Sequence, residues 1–149
     1  MQKIVIGGDH RGYPLKEQIK KVFEGKYEII DAGAFNTEPS DYPDIAGDVV
    51  KHIQSGECEK GVLICGSGVG ASVAANKFKD IRAAVCHDTF SAHQGVEDDD
   101  MNLLCLGGGI VGGSLAAEII DTFLNAKFKG EERFARRLKK VRDIENSQK

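Results

Sequence analysis

No apolar run in these 149 residues approaches the ~20 that a helix needs to span a bilayer. Met1-Gln2-Lys3 leads straight into a strand-like segment rather than a signal peptide, so a cytoplasmic protein is expected, with no membrane partner. Charge of one sign is not in excess either. A formal net charge of -3 gives no general reason to expect a nucleic-acid partner. The four cysteines, Cys58, Cys65, Cys86 and Cys105, show no CxxC spacing, and three of them sit inside apolar runs, where a free thiol behaves as a small hydrophobe. A disulfide scaffold and a metal site are therefore not expected. Internal repeats, low-complexity tracts and linkers are also missing. The length and the ordinary balance of 41% hydrophobic and 29% charged residues fit one globular domain, residues 1–149.

What is present is an alternation. "KIVIGGD" (3–9), "YEIIDAG" (27–33), "GVLICG" (61–66), "IRAAVCHD" (81–88) and "NLLCLGG" (102–108) are short, apolar and mostly closed by Gly or Asp. They read as five strands buried on both faces, hence a parallel sheet. Between them "YPLKEQIKKVFEG", "YPDIAGDVVKHIQSG" and "GASVAANKF" repeat apolar residues every three or four positions, as crossover helices do. Residues 89–100, "TFSAHQGVEDDD", read as more loop than helix because Gly95 interrupts them and their end is acidic. Residues 112–128 read as a fifth helix. In 130–149, Phe134, Leu138, Val141 and Ile144 form one apolar stripe on a charged helix that needs a place to dock. The pattern predicts a three-layer α/β/α sandwich, Rossmann-like, around a five-stranded parallel sheet.

Ligands of such sheets bind outside the carboxyl ends of the strands. Strand one ends in Gly7-Gly8-Asp9-His10-Arg11-Gly12, strand three in Cys65-Gly66-Ser67-Gly68-Val69-Gly70, strand four in Cys86-His87-Asp88 and strand five in Gly107-Gly108-Gly109. Glycines 66, 68 and 70 let successive N–H groups converge at a helix N-terminus, which favours an anion. The turn lacks the Gly-Lys-Ser/Thr of a P-loop, and a full GxGxxG does not follow the first strand. Amides and a dipole that hold an anion also stabilise a thiolate, so Cys65 at the entrance is a candidate base. On position alone it is equally a packed strand residue.

Taken in order, "GGDHRGYPLK", "NTEPSDYPD", "VLICGSGVGASVAANKF", "IRAAVCHDTFSA" and "DDMNLLCLGG" resemble the ribose-5-phosphate isomerase B family, which includes galactose-6-phosphate and allose-6-phosphate isomerases. The resemblance covers nearly the whole chain. It implies a cofactor-free aldose–ketose isomerase of sugar phosphates, working as a homodimer or dimer of dimers with sites shared between subunits. By the same resemblance Cys65 is the base that moves a proton between C1 and C2, beside the amides of Gly66, Ser67, Gly68, Val69 and Gly70. Ser67 takes the place of a hydroxyl residue that binds or opens the sugar. Asp9 and His10 contact sugar hydroxyls and help hold the phosphate, and Tyr42 lines the pocket. Arg133 and Arg137, spaced i,i+4, match an arginine pair for phosphate, with Arg136 the choice if the register slips by one.

Two positions depart from that pattern. Asp98 stands where most members have a histidine credited with opening the furanose ring, and Asp99 stands at a position that binds hydroxyls. An Asp is a general acid only if its pKa is raised, which neighbouring like charge can do. Gly109 stands where relatives carry an arginine that contacts phosphate. Three consequences are open: His87 or His93 opens the ring, the substrate is already acyclic, such as a tetrose 4-phosphate, or the chain is an impaired partner in a heteromer. A nucleotide-binding α/β domain is the reading of a different class, and it needs an acidic ribose ligand, for which Asp31 at the end of strand two is placed.

Overall fold

The protein is described by a computed structural model covering residues 1–148. Five strands, β1 (Lys3–Gly8), β2 (Glu28–Asp31), β3 (Gly61–Cys65), β4 (Ala83–Val85) and β5 (Leu103–Gly107), form one parallel sheet in the order β2-β1-β3-β5-β4. Six helices, α1 (Tyr13–Val22), α2 (Tyr42–Gln54), α3 (Val69–Ala75), α4 (Thr89–Asp99), α5 (Gly113–Asn125) and α6 (Glu132–Ser147), alternate with them. Proline at the first turn of α1 and α2 starts each helix where a missing N–H costs nothing.

The two-residue period of the strands sorts the core into layers. Ile4, Ile6, Val62, Ile64, Leu104 and Leu106 face α1, α4 and α5, while Val5, Leu63, Cys65, Leu103 and Cys105 face α2 and α3. The α/β/α sandwich expected from the alternation is the observed one. Burial on both faces holds for β1, β3 and β5; the edge strands β2 and β4 are only partly covered, and β4 is three residues long instead of the eight of its sequence segment. The chain turns one way from β1 to β2 and the other way to β3, so the carboxyl edge between β1 and β3 is a switch point where neighbouring loops splay apart.

The segment 89–100 is a helix, not a loop. Asp88 caps it by accepting the N–H of Ser91 at 2.6 Å, and Ala92 and Val96 are buried in the α5 layer. A cap contributes about 1 kcal/mol, comparable to the cost of one interior glycine, so Gly95 does not break the helix. Asp100 ends it in a left-handed conformation, φ 52°, with its N–H on the Val96 carbonyl. Phe134 and Leu138 of α6 are buried and α6 packs against α4, so half of its apolar stripe docks within the chain, whereas Val141 and Ile144 are 52% and 64% exposed.

Candidate active site

Gly8 of β1 lies opposite Ile64 of β3, so the next residues, Asp9 and Cys65, leave the sheet side by side and on the α2/α3 side. Both are 5% exposed at the base of a cleft of 740 Å³ over the β1/β3 edge. His10, Tyr42, Gly66, Ser67 and Gly70 also line it.

The turn after β3 is built around the thiol. The N–H of Gly68 points at Cys65 Sγ, 3.1 Å away. Gly68 has φ 82°, and a Cβ there would lie 2.9 Å from the Leu106 carbonyl carbon, so glycine alone lets this amide turn inward. Ser67 Oγ accepts the Val69 N–H at 3.2 Å, which fixes the hydroxyl at the first turn of α3. The Tyr42 ring lies over Gly70, where a Cβ would come within 2.8 Å of Cζ. Among the described residues the other cysteines have no comparable donor. Burial pushes the Cys86 thiol up to about 11 and raises Cys58 and Cys105 as well, each with a smaller contribution from neighbouring groups. They are packed core residues.

Asp9 Oδ1 accepts the N–H groups of Arg11 and Gly12, both at 3.0 Å, and holds the loop that starts α1. His10 and Ser40 bond reciprocally: the His10 N–H reaches Ser40 Oγ and the Ser40 N–H reaches His10 Nδ1, each at 3.1 Å. With Nδ1 accepting, the neutral ring carries its proton on Nε2. Ser40 and Arg11 also line the cleft. Sequence reasoning singled out neither, since the His10–Ser40 pair joins loops thirty residues apart.

Asp98, Asp99, Arg133 and Arg137 do not line this cleft. Asp98 accepts from Gln94 at 2.8 Å on the last turn of α4. Like charge acts on its neighbour: burial first, then the Asp98 charge, raises the Asp99 pKa, and Arg137 draws it back. Asp99 and Arg137 line a separate groove of 1010 Å³ between α6 and the β4 edge, which contains no cysteine or histidine. Arg133 pairs with Glu131 and lies 4.5 Å over the Phe134 ring, while Arg136 is held by both oxygens of Glu132. Val69 is exposed on the first turn of α3.

Neither histidine substitute lines the cleft, and each has one ring nitrogen engaged. His87 Nε2 accepts the Gly107 N–H at 3.0 Å, and His93 Nδ1 faces Glu97 at 3.0 Å. Asp31 is equally unavailable as a ribose ligand, being clamped by Lys16 at 2.7 Å and Lys20 at 2.7 Å. Burial raises its pKa, but the two lysines and the Gly33 N–H outweigh this and hold it below the usual carboxylate range. Among the described residues no group of three or more His, Cys, Asp or Glu is placed to hold a metal ion.

Fold and cleft together put the chain among the parallel-sheet enzymes whose substrate enters over the carboxyl edge. The ribose/galactose isomerase family profile matches residues 4–141. The Escherichia coli (strain K12) ribose-5-phosphate isomerase B is 44% identical over 131 residues, 87% of this chain and 88% of that one. The 4-deoxy-4-sulfo-D-erythrose isomerase of Clostridium sp. (strain MSTE9) is 41% identical over 128 residues, 85% of this chain and 80% of that one. The solved ribose-5-phosphate isomerase B of Clostridium thermocellum superposes with a TM-score of 0.94 at 46% identity, covering 98% of this chain and 99% of the other. The chain belongs to the ribose/galactose isomerase family and is an aldose–ketose isomerase.

Proposed function

We propose that the substrate pair is ribose 5-phosphate and ribulose 5-phosphate, interconverted through an enediolate with Cys65 as the base. The observation that carries this reading is the Gly68 N–H on Cys65 Sγ at the base of a cleft that also holds Asp9 and an oriented His10. As thiolate, Cys65 takes the C2 proton of the open-chain aldose. The C2–H electrons form the C1–C2 double bond, and the carbonyl π electrons move to O1. The proton returns to C1 from the same face, and the O2 hydroxyl proton passes to O1, leaving a ketone at C2. One base must reach both carbons, and donors must meet the oxygen that becomes negative. The amides of Gly66, Ser67 and Gly70 are the donors, those of Gly68 and Val69 being given to Cys65 Sγ and Ser67 Oγ, and Ser67 helps bind the sugar. Asp9 and the Nε2–H of His10 hold sugar hydroxyls, and Tyr42 closes the wall.

In this reading the functional unit is a pair of copies. Asp98 and Asp99 on α4 and Arg133 and Arg137 on α6 serve the cleft of a second copy, with Asp98 as ring-opening acid and the arginines on the phosphate. The exposed half of the α6 stripe, Val141 and Ile144, supports such an arrangement.

Asp98 favours a second reading. A carboxyl in place of a ring-opening histidine fits a substrate that has no ring to open, and a relative at 41% identity is named for a tetrose without a hydroxyl on C4. Isomerisation in deuterated buffer, followed by NMR, separates the two. Ribose 5-phosphate turning over with deuterium at C2 of the recovered aldose is expected; turnover of erythrose 4-phosphate alone would replace the pentose with an acyclic substrate. Cys65→Ala is expected to lose at least about a thousandfold in kcat with its Tm preserved, and near-normal activity would remove Cys65 from the base role.

A further inference from the structure

Resting on that reading, the geometry points to Arg11 as the anion ligand that each subunit provides to its own cleft, for a terminal phosphate or sulfonate on the sugar. Arg11 is the one Arg or Lys among the described residues lining the cleft. Among the described residues it forms no ion pair, whereas Arg133 and Arg136 on α6 are both paired within the chain. The nearest carboxylate in sequence, Asp9, spends Oδ1 on the backbone N–H groups of Arg11 and Gly12.

The guanidinium of the exposed Arg11 lies against the Gly66 backbone. A Cβ on Gly66 would come within 2.7 Å of Arg11 Cζ, 2.8 Å of Nη1 and 2.9 Å of Nε, so the planar group fills the space of the side chain that Gly66 lacks. Its backbone is fixed from two sides, by the Asp9 bond at 3.0 Å and by Gly108, where a Cβ would lie 2.8 Å from the Arg11 carbonyl oxygen. Gly109 N–H bonds the Gly66 carbonyl at 3.0 Å and adds no side chain to the same wall. A fork of N–H donors without an ion-pair partner, at the wall of the cleft, suits a tetrahedral oxyanion held two-pronged.

The test is steady-state kinetics of wild type, Arg11→Met and Arg11→Lys with ribose 5-phosphate, erythrose 4-phosphate and 4-deoxy-4-sulfo-D-erythrose, and with inorganic phosphate as inhibitor. Arg11→Met keeps the stem and loses the fork. It is expected to raise KM about 30-fold for the substrate whose terminal group Arg11 binds. The Ki of inorganic phosphate should rise in parallel, kcat should change little, and the lysine variant should fall between. Unchanged KM and Ki, or a fall in kcat at constant KM and Ki, would overturn the assignment. A wild type inert toward all three sugars would overturn the proposed substrate and this inference together; an active wild type with an unaffected Arg11→Met overturns this inference alone.

Discussion

At the β1/β3 edge the reactive groups are buried and held. Asp9 and Cys65 are each 5% exposed, the thiol has an amide donor, and His10 is locked by two bonds to Ser40. At the α4/α6 edge the functional candidates are side chains on helix surfaces: Arg133 and Arg137 are exposed, and Asp98 and Asp99 crowd the C-terminal turn of α4, where the helix dipole disfavours negative charge. The first edge is organised by the chain's own backbone. The second is a set of surface charges: Asp98 meets Gln94, Arg133 meets Glu131, and Asp99 and Arg137 line a groove that contains no cysteine or histidine, so the role proposed for this edge lies in the cleft of a second copy.

The largest effect is expected from separating the two edges. Cys65→Ala and Arg137→Ala should each lower kcat/KM by at least about a hundredfold. If the edges meet across a two-fold axis, mixing the variants after denaturation and refolding restores activity to about a quarter of wild type, because half the random pairs are mixed and each mixed pair holds one intact site. No recovery would mean that both groups act on the same chain's cleft, or that Arg137 has no part in it.

Gly68→Ala tests the first edge from within. A left-handed backbone costs an L-residue roughly 1–2 kcal/mol, and the added methyl meets the Leu106 carbonyl carbon. Relief requires the turn to move, and with it the N–H on Cys65. A Tm lower by several degrees and a kcat lower by about tenfold or more are expected; an unaltered kcat with lowered Tm would show that this amide stabilises the fold without serving the thiol.

How much of each edge was legible follows from the range of its determinants. The Asp9 loop and the Gly66–Gly70 turn sit directly after strands, so the short apolar runs and the glycine spacing locate them, and the parallel sheet follows from the same runs. The His10–Ser40 pair and the Arg11 guanidinium on Gly66 depend on which loops the topology brings together, and nothing local encodes that. The α4 helix was misread because its apolar residues are few and Gly95 weakens local propensity, while the Asp88 cap and burial against α5 decide the outcome. Asp31 looked like a free acid for the converse reason: Lys16, its partner, is buried in a helix that the sequence shows only as amphipathic.

The smallest effect, and the one that reads the second edge in the resting protein, is the pH dependence conferred by Asp99. Its folded pKa is raised, by burial first and then by Asp98. Folding therefore favours the protonated carboxyl, and this group's contribution to stability declines as pH rises from the unfolded value through the folded one. Asp99→Asn removes the charge that folding disfavours. It should raise Tm at pH 7 by a degree or two and leave it nearly unchanged at pH 4, since a single surface charge is worth about 1 kcal/mol or less. Thermal unfolding at both pH values checks the sign. A Tm that falls at pH 7 would mean that the folded protein stabilises the carboxylate, with Arg137 and any further cation outweighing burial and the Asp98 charge.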